Sequence, residues 1–346
     1  MGISFDFEGA PPSRCVVEGE KEFSILISPE HAPPINPSPW YAFRYTASGK
    51  ENVTVHLRYL GAKHRYSPKW QSSERFGVVD AQVRDDGKTA SLTLPPGQAI
   101  VSAQELLGVR EHEALLTRLD RSAAVRRLTL GRSHDGRPIE ALRVGNPNAE
   151  KLVILLGRQH PPEVTGAIAM EHFLETLVLL ADTKQYDAED LQILAVPLLN
   201  PDGVARGHWR ANLGGVDLNR DWGTFSQPET RSIAQWLEKL PDHVRPIAMV
   251  DFHSTSRNLF YVQGDEASEG QEQFLARWLV GKEGQIAGYH FAIERRNANP
   301  GTGTAKNWFY ANYLIPSYTY EVGDETERVA IATAAKELAK SFVEAL

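Results

Sequence analysis

The stretch Lys151-Leu-Val-Ile-Leu-Leu-Gly157, continuing as Arg158-Gln159-His160-Pro161-Pro162-Glu163, is the one from which the rest of the chain can be ordered. Its first half is a short, continuous apolar run, the signature of a strand covered on both faces. Its second half places His160 and Glu163, two metal-type ligands, where that strand stops and a helix is about to start. A lone His-x-x-Glu occurs often by chance. Its meaning depends on whether other segments supply a third ligand, a general base and a group that holds a substrate.

Around this run, apolar strand-length segments alternate with helical spacing. Strands are expected over 152–156, 191–196, 247–252 and 317–322, and helices over 164–180, 227–240, 269–286 and 327–346. That alternation predicts an α/β domain whose mixed, mostly parallel sheet is flanked by helices. A helix over 103–119 and a hairpin of 125–130 with 139–144, turning at Asp135-Gly136, lead into it. The first hundred residues read differently. Phe23–Ile27, Trp40–Tyr45 and Val53–Tyr59 are rich in β-branched and aromatic residues, with Pro33-Pro34, Asn36-Pro37 and Ser48-Gly49 between them. Asp85-Asp86-Gly87 reads as a turn between 79–83 and 90–94. These short strands predict an antiparallel β-sandwich over 1–104, ahead of an α/β catalytic domain over 105–346. No cluster of His, Cys or carboxylates is expected to converge in the sandwich, so its expected role is structural or substrate-shaping.

Composition narrows the function classes. A chain of 346 residues carries a net charge of -7 and a pI near 5.9, which argues against a nucleic-acid or anionic-membrane surface. No basic and then apolar leader is evident at Met1-Gly2-Ile3-Ser4, and no apolar run is expected to reach the ~20 residues of a spanning helix. Cys15 is the only cysteine, which excludes an internal disulfide and fits a reducing compartment. The expectation is a cytoplasmic protein with neither nucleic acid nor membrane as partner.

The chemistry-bearing residues collect at strand ends. His253 closes Met249–His253, and Glu321 closes Tyr318–Glu321. In open α/β sheets ligands bind outside the carboxyl ends of the strands, so these residues share one rim with His160 and Glu163. Two imidazoles and a carboxylate with one open position form a catalytic zinc pattern. Taken singly, His253 also reads as a satisfied core histidine and Glu321 as a salt-bridged acid. Their common place beyond apolar strands, where a buried charge is costly without a partner, joins them. Between the ligands lie Asn200-Pro-Asp-Gly203, His208-Trp-Arg210 and Gly215-Val-Asp-Leu-Asn-Arg-Asp-Trp222. Arg220 offers a planar fork for a carboxylate, with Asn219 as a further donor. Arg210 is a permanent cation suited to an oxyanion, and Asp217 is a candidate acceptor for a ligand histidine. A solvated loop with helix caps has the same composition.

As an ordered set, His160-x-x-Glu163, Asn200-Pro-Asp-Gly203, Asp217-Leu-Asn219-Arg220, His253-Ser254 and Glu321 resemble the zinc metallocarboxypeptidases of the carboxypeptidase A and B type, from Leu107 to the C-terminus. The preceding region, with Trp40-Tyr41 and Tyr66-Ser-Pro-Lys-Trp70, resembles the N-terminal sandwich of the cytosolic carboxypeptidase branch. The resemblance implies one zinc ion held by His160, Glu163 and His253, with Glu321 as general base. It implies Arg220 and Asn219 on the terminal carboxylate of a peptide or protein substrate, and Arg210 on the oxyanion. The family position fifteen residues before the base lies in the pocket for the terminal side chain and is here Lys306, which implies a preference for C-terminal Glu or Asp. One departure is plain: the family's mobile tyrosine is missing from Arg295–Pro300, and neither Tyr289 nor Tyr310 takes its place by motif. Three competing readings share parts of this pattern: a desuccinylase or aspartoacylase type of deacylase, a cell-wall peptide carboxypeptidase, and an inactive binding module.

Overall fold

The computed structural model describes residues 2–185, 190–297 and 301–346. The chain divides into two units. One comprises Met1–Val109 with His160–Pro162 and Asp202–Gly215; the other comprises Arg110–Gln159, Glu163–Pro201 and Val216–Leu346.

In the second unit, the apolar run Lys151–Gly157 is a central strand, and its continuous apolarity has a direct cause. Val153 and Leu155 enter one core with Phe173, Leu177 and Phe252, while Leu152, Ile154 and Leu156 enter another with Ile233, Met249 and Phe309. A strand covered on both faces has no side chain to spare for water. The eight-stranded sheet runs in the order Val125–Arg132, Pro138–Gly145, Leu191–Val196, Lys151–Gly157, Arg245–Thr255, Ser317–Gly323, Leu259–Val262, Ala292–Arg295. Its centre is parallel, from 191–196 through 151–157 and 245–255 to 317–323; the pairs that flank it directly are antiparallel, and the edge pair 259–262 with 292–295 is parallel again. The α/β expectation is met.

Several boundaries differ from the sequence expectation. The helix expected from residue 103 begins at Val109, because Gly97–Ser102 is a strand paired with Ala42–Ala47 and the Ala103 N–H still bonds the Tyr41 carbonyl. The helix expected to reach 286 ends at Trp278, just before Gly281, which has a φ of 85°. Leu259–Val262 and Ala292–Arg295 were not foreseen, being four residues each and too short to show a period. The helix Ala305–Tyr313 was also missed; Thr304 caps it by accepting the Asn307 N–H at 3.3 Å. Val164–Asp182, with a mean hydropathy of 1.5, is long and apolar enough to cross a membrane by length and composition alone, contrary to expectation. Most of it is buried, and Met170, Phe173, Leu174 and Leu177 join one of the cores of the protein.

The first unit contains two five-stranded sheets, ordered Gly2–Ser4, Ala42–Ala47, Gly97–Ser102, Lys69–Gln71, Phe76–Val78 and Arg14–Gly19, Glu22–Ile27, Val53–Tyr59, Thr89–Leu94, Ala81–Arg84. Ile25, Phe43, Tyr45, Val55, Leu57, Leu92 and Val101 fill the space between their faces, and Trp209 joins this core. All pairings are antiparallel except Glu22–Ile27 with Val53–Tyr59, which run parallel.

Candidate metal centre

His160, Glu163 and His253 each offer a ligand atom within 4.8 Å of the others. Two features of the chain bring this about. His160 and Glu163 sit in the turn that leaves the central strand, with Glu163 immediately before the helix Val164–Asp182. His253 lies near the end of the neighbouring parallel strand. On its other side the same strand pairs His253 with Glu321 of the next strand, so residues opposite each other in register leave the sheet side by side.

The His253 ring is held from two sides. Its Nδ1 lies 2.8 Å from Glu163 Oε2, and its Nε2 lies 2.7 Å from Asp251 Oδ2. Burial opposes a proton on this ring, but Asp251 and Glu163 outweigh it and hold the imidazole well above its usual range. Two carboxylates around one imidazole leave local negative charge that a divalent cation would neutralise. The donor set of two histidines and a glutamate suits zinc. Nδ1, turned towards Glu163, is the nitrogen that would serve an ion held by both residues, while Asp251 holds the ring through Nε2. Arg158, buried with a φ of 53°, adds a cation near Glu163, and burial pushes its pKa down to about 10.

The remaining candidates are distributed as follows. Asn219 is buried, with Nδ2 3.3 Å from His253 Nε2, and its Oδ1 accepts the Ala305 N–H at 2.9 Å. Asp217 caps the short turn Leu218–Arg220 by accepting the Asn219 N–H at 2.9 Å. Arg220 is exposed, and its Nη1 donates to the Asn219 carbonyl at 2.6 Å. The Arg210 backbone N–H donates to Glu30 Oε1 at 2.9 Å. Lys306 is buried on the helix Ala305–Tyr313, and its ammonium donates to the Arg296 carbonyl at 3.0 Å. Burial lowers its pKa to about 8, against the opposing pull of Glu266. Of the stretch in which the tyrosine was sought, residues 298–300 lie outside the described residues. Tyr289 is buried against the Tyr320 hydroxyl at 2.7 Å, and the Tyr310 hydroxyl donates to the Glu266 carbonyl at 2.8 Å.

Several supporting residues escaped the sequence reading. Gln159, fully buried, donates from Nε2 to Asp251 Oδ2 at 2.6 Å and accepts the Trp222 indole N–H at 2.9 Å. Thr165 Oγ1 lies 2.8 Å from Ser254 Oγ and 3.1 Å from the Val322 carbonyl, and the Gly166 N–H donates to Ser254 Oγ at 2.9 Å. The segments carrying Glu163, His253 and Glu321 are thereby tied together within three residues of each group. Asp251 had a readable signal, since residues two apart on a strand share a face. Replacing Asp251 with asparagine should weaken zinc binding about 10–100-fold, as loss of a ligand's supporting carboxylate typically does. Chelator competition on the purified variant would measure it, and unchanged affinity would remove Asp251 from this role.

Known proteins give the arrangement a family. The profile of the zinc carboxypeptidases matches residues 113–344. Human cytosolic carboxypeptidase 2 is 32% identical over 144 residues, covering 38% of this chain and 16% of its own length. An uncharacterized Zymomonas mobilis protein is 30% identical over 213 residues, 58% of this chain and 55% of its own length. Mouse cytosolic carboxypeptidase 6 is 26% identical over 224 residues, 60% of this chain and 41% of its own. The matches thus span between about a sixth and about half of these relatives. Among solved structures, a metallo-carboxypeptidase from Burkholderia cenocepacia superposes with a TM-score of 0.80 at 19% identity, covering 98% of this chain and 97% of that one. One from Pseudomonas aeruginosa, in complex with (2-guanidinoethylmercapto)succinic acid, gives 0.78 at 20%, covering 99% and 98%. These two establish the shared fold. With the family profile spanning well over half of the sequence and both histidines and the glutamate of the cluster inside it, the chain belongs to the zinc carboxypeptidase family.

Proposed function

We propose that this protein is a zinc-dependent metallocarboxypeptidase that hydrolyses the last peptide bond of a peptide or protein chain and prefers an acidic terminal residue. The observation that carries this reading is the convergence of His160, Glu163 and His253, with Glu321 next to His253 in the strand register. A zinc ion bound there supplies Lewis acidity and makes water nucleophilic near neutral pH. Glu321 accepts the proton of the attacking water and passes it to the departing amine as the C–N bond breaks. Arg220, with Asn219, receives the terminal carboxylate through its fork, which gives an exopeptidase its reason to ignore internal bonds. Arg210 stabilises the oxyanion that develops on the scissile carbonyl, and Asp217 is assigned to supporting the ligand set. The relatives named as cytosolic carboxypeptidases support both the reaction class and a cytoplasmic setting.

The acidic preference is assigned to Lys306. An ammonium has three donors, and one is engaged by the Arg296 carbonyl. The test is hydrolysis of peptides differing only in their last residue by the zinc-loaded protein. Terminal Glu or Asp should be released faster than Leu or Lys, and the opposite order would overturn the preference. Because burial lowers the Lys306 pKa to about 8, the charge is full below that pH and is lost above it. The Glu-to-Leu rate ratio should therefore fall as pH rises through about 8, and Lys306→Met should show a low ratio at every pH. Zinc bound without peptidase activity would point instead to a deacylase or an inactive binding module.

A further inference from the structure

Outside the site described above, the fold assembles a second donor cluster that the sequence reading did not expect. Glu30 and His31 lie between two strands of the sandwich, and His208 lies some 177 residues later in the Asp202–Gly215 segment of the same unit. One ligand atom from each falls within 4.8 Å of the others. The imidazoles meet edge to face, with ring centroids 5.6 Å apart.

The free valences of this cluster are what separate it from a chance grouping. His31 Nε2 is buried and has no hydrogen-bond partner, an expensive condition for a ring nitrogen. His208 Nδ1 lies 3.1 Å from the Ala211 carbonyl, so this nitrogen carries the proton and Nε2 keeps its lone pair. A backbone carbonyl on one ring nitrogen is the usual support for a metal ligand on the other. Glu30 accepts the backbone N–H groups of Trp209, Arg210 and Ala211. These occupy three of the roughly four lone-pair directions of a carboxylate, which leaves one and fixes the group in place. The grouping of Glu18, Glu22 and His56 fails the same examination. Both His56 nitrogens already have partners there, Ser91 and Glu22, at 2.8 Å.

We propose that Glu30, His31 and His208 bind a second divalent transition-metal ion. Two imidazoles and one carboxylate select zinc and its neighbours over magnesium or calcium, which take oxygen ligands. Bound there, the ion joins the segment before Ile35 to the one that carries Arg210.

The experiment is zinc stoichiometry on the full, untagged chain after equilibration with Zn2+ and removal of the excess, with parallel thermal melts. Wild type should hold two equivalents, and His31→Gln combined with His208→Gln should hold one fewer. Equal zinc content in wild type and this variant overturns the proposal. Should the double variant fold poorly, His160→Gln combined with His253→Gln carries the test. That protein should retain one equivalent removable by EDTA, with zinc raising its Tm; retention of none overturns the second site. Loss of the first centre alone would show as a wild type holding one equivalent that still disappears in the His31/His208 variant, so the two readings fail separately. Addition of Co2+ to the His160/His253 variant should produce visible d–d absorption that His208→Gln abolishes.

Discussion

Replacing Glu321 with glutamine is expected to lower kcat by about 10²–10⁴-fold, the usual contribution of a positioned general base. KM and zinc content should stay close to wild type. The expectation follows from the strand ladder. Glu321 stands opposite His253 on the adjacent parallel strand, so it reaches the space beside that histidine without belonging to the cluster of donor atoms. Glutamine keeps the shape and the backbone pairing but cannot take a proton from water at neutral pH. Turnover by the zinc-loaded protein and metal analysis of the same sample check this together. Near-wild-type turnover with zinc bound would assign the base elsewhere, and loss of zinc along with activity would make Glu321 a structural support.

The second large effect is expected at Gly166, in the first turn of the helix that follows Glu163. A Cβ there would stand 2.4 Å from the His253 carbonyl oxygen and 2.8 Å from its carbon, closer than real side chains come. The neighbouring atoms are strand backbone, held in register with Glu321 on the next strand, and cannot rotate away. An alanine must therefore push the helix start from the strand, separating Glu163 from His253, whose present 2.8 Å contact defines one edge of the metal centre. Overpacking of this kind costs about 1–3 kcal/mol. In a domain of this size that corresponds to a fall in Tm of about 2–12 °C. Zinc affinity should fall by at least about 10-fold, in line with the loss of a supporting group. Calorimetry of the metal-free protein separates the packing cost from the binding cost. Gly166→Ala with wild-type Tm and affinity would show that the helix is not pinned here.

The two substitutions act on different links of one chain of causes. In the proposed mechanism Glu321 handles the proton, and its variant should bind metal and substrate yet turn over slowly. Gly166 concerns the distance between two segments, and its variant should lose metal before any question of chemistry arises. Asp251 lies between these cases, since it moves neither backbone nor proton but sets the ring orientation of His253 through a 2.7 Å contact.

What the sequence determined by itself is local and periodic. The run Lys151–Gly157 declared a strand buried on both faces, because apolar residues without alternation leave no face for water. The long helix Val164–Asp182, the hairpin around Asp135-Gly136 and the final helix were readable for the same reason. The convergence of His160, Glu163 and His253 was readable because strand ends in an α/β sheet deliver their residues to one rim. What only the tertiary structure decided depends on contacts between residues far apart in the chain. Gln159 reaches Asp251 across 92 positions, and Thr165 reaches the Val322 carbonyl across 157; no period connects them. Gly166 reads in sequence as a poor helix residue, and its necessity appears only when a strand backbone lies against it. His208 likewise reads as loop until the sandwich brings Glu30 and His31 to it. Periodicity reports which face of an element is buried, while burial against a particular neighbour is a property of the folded chain alone.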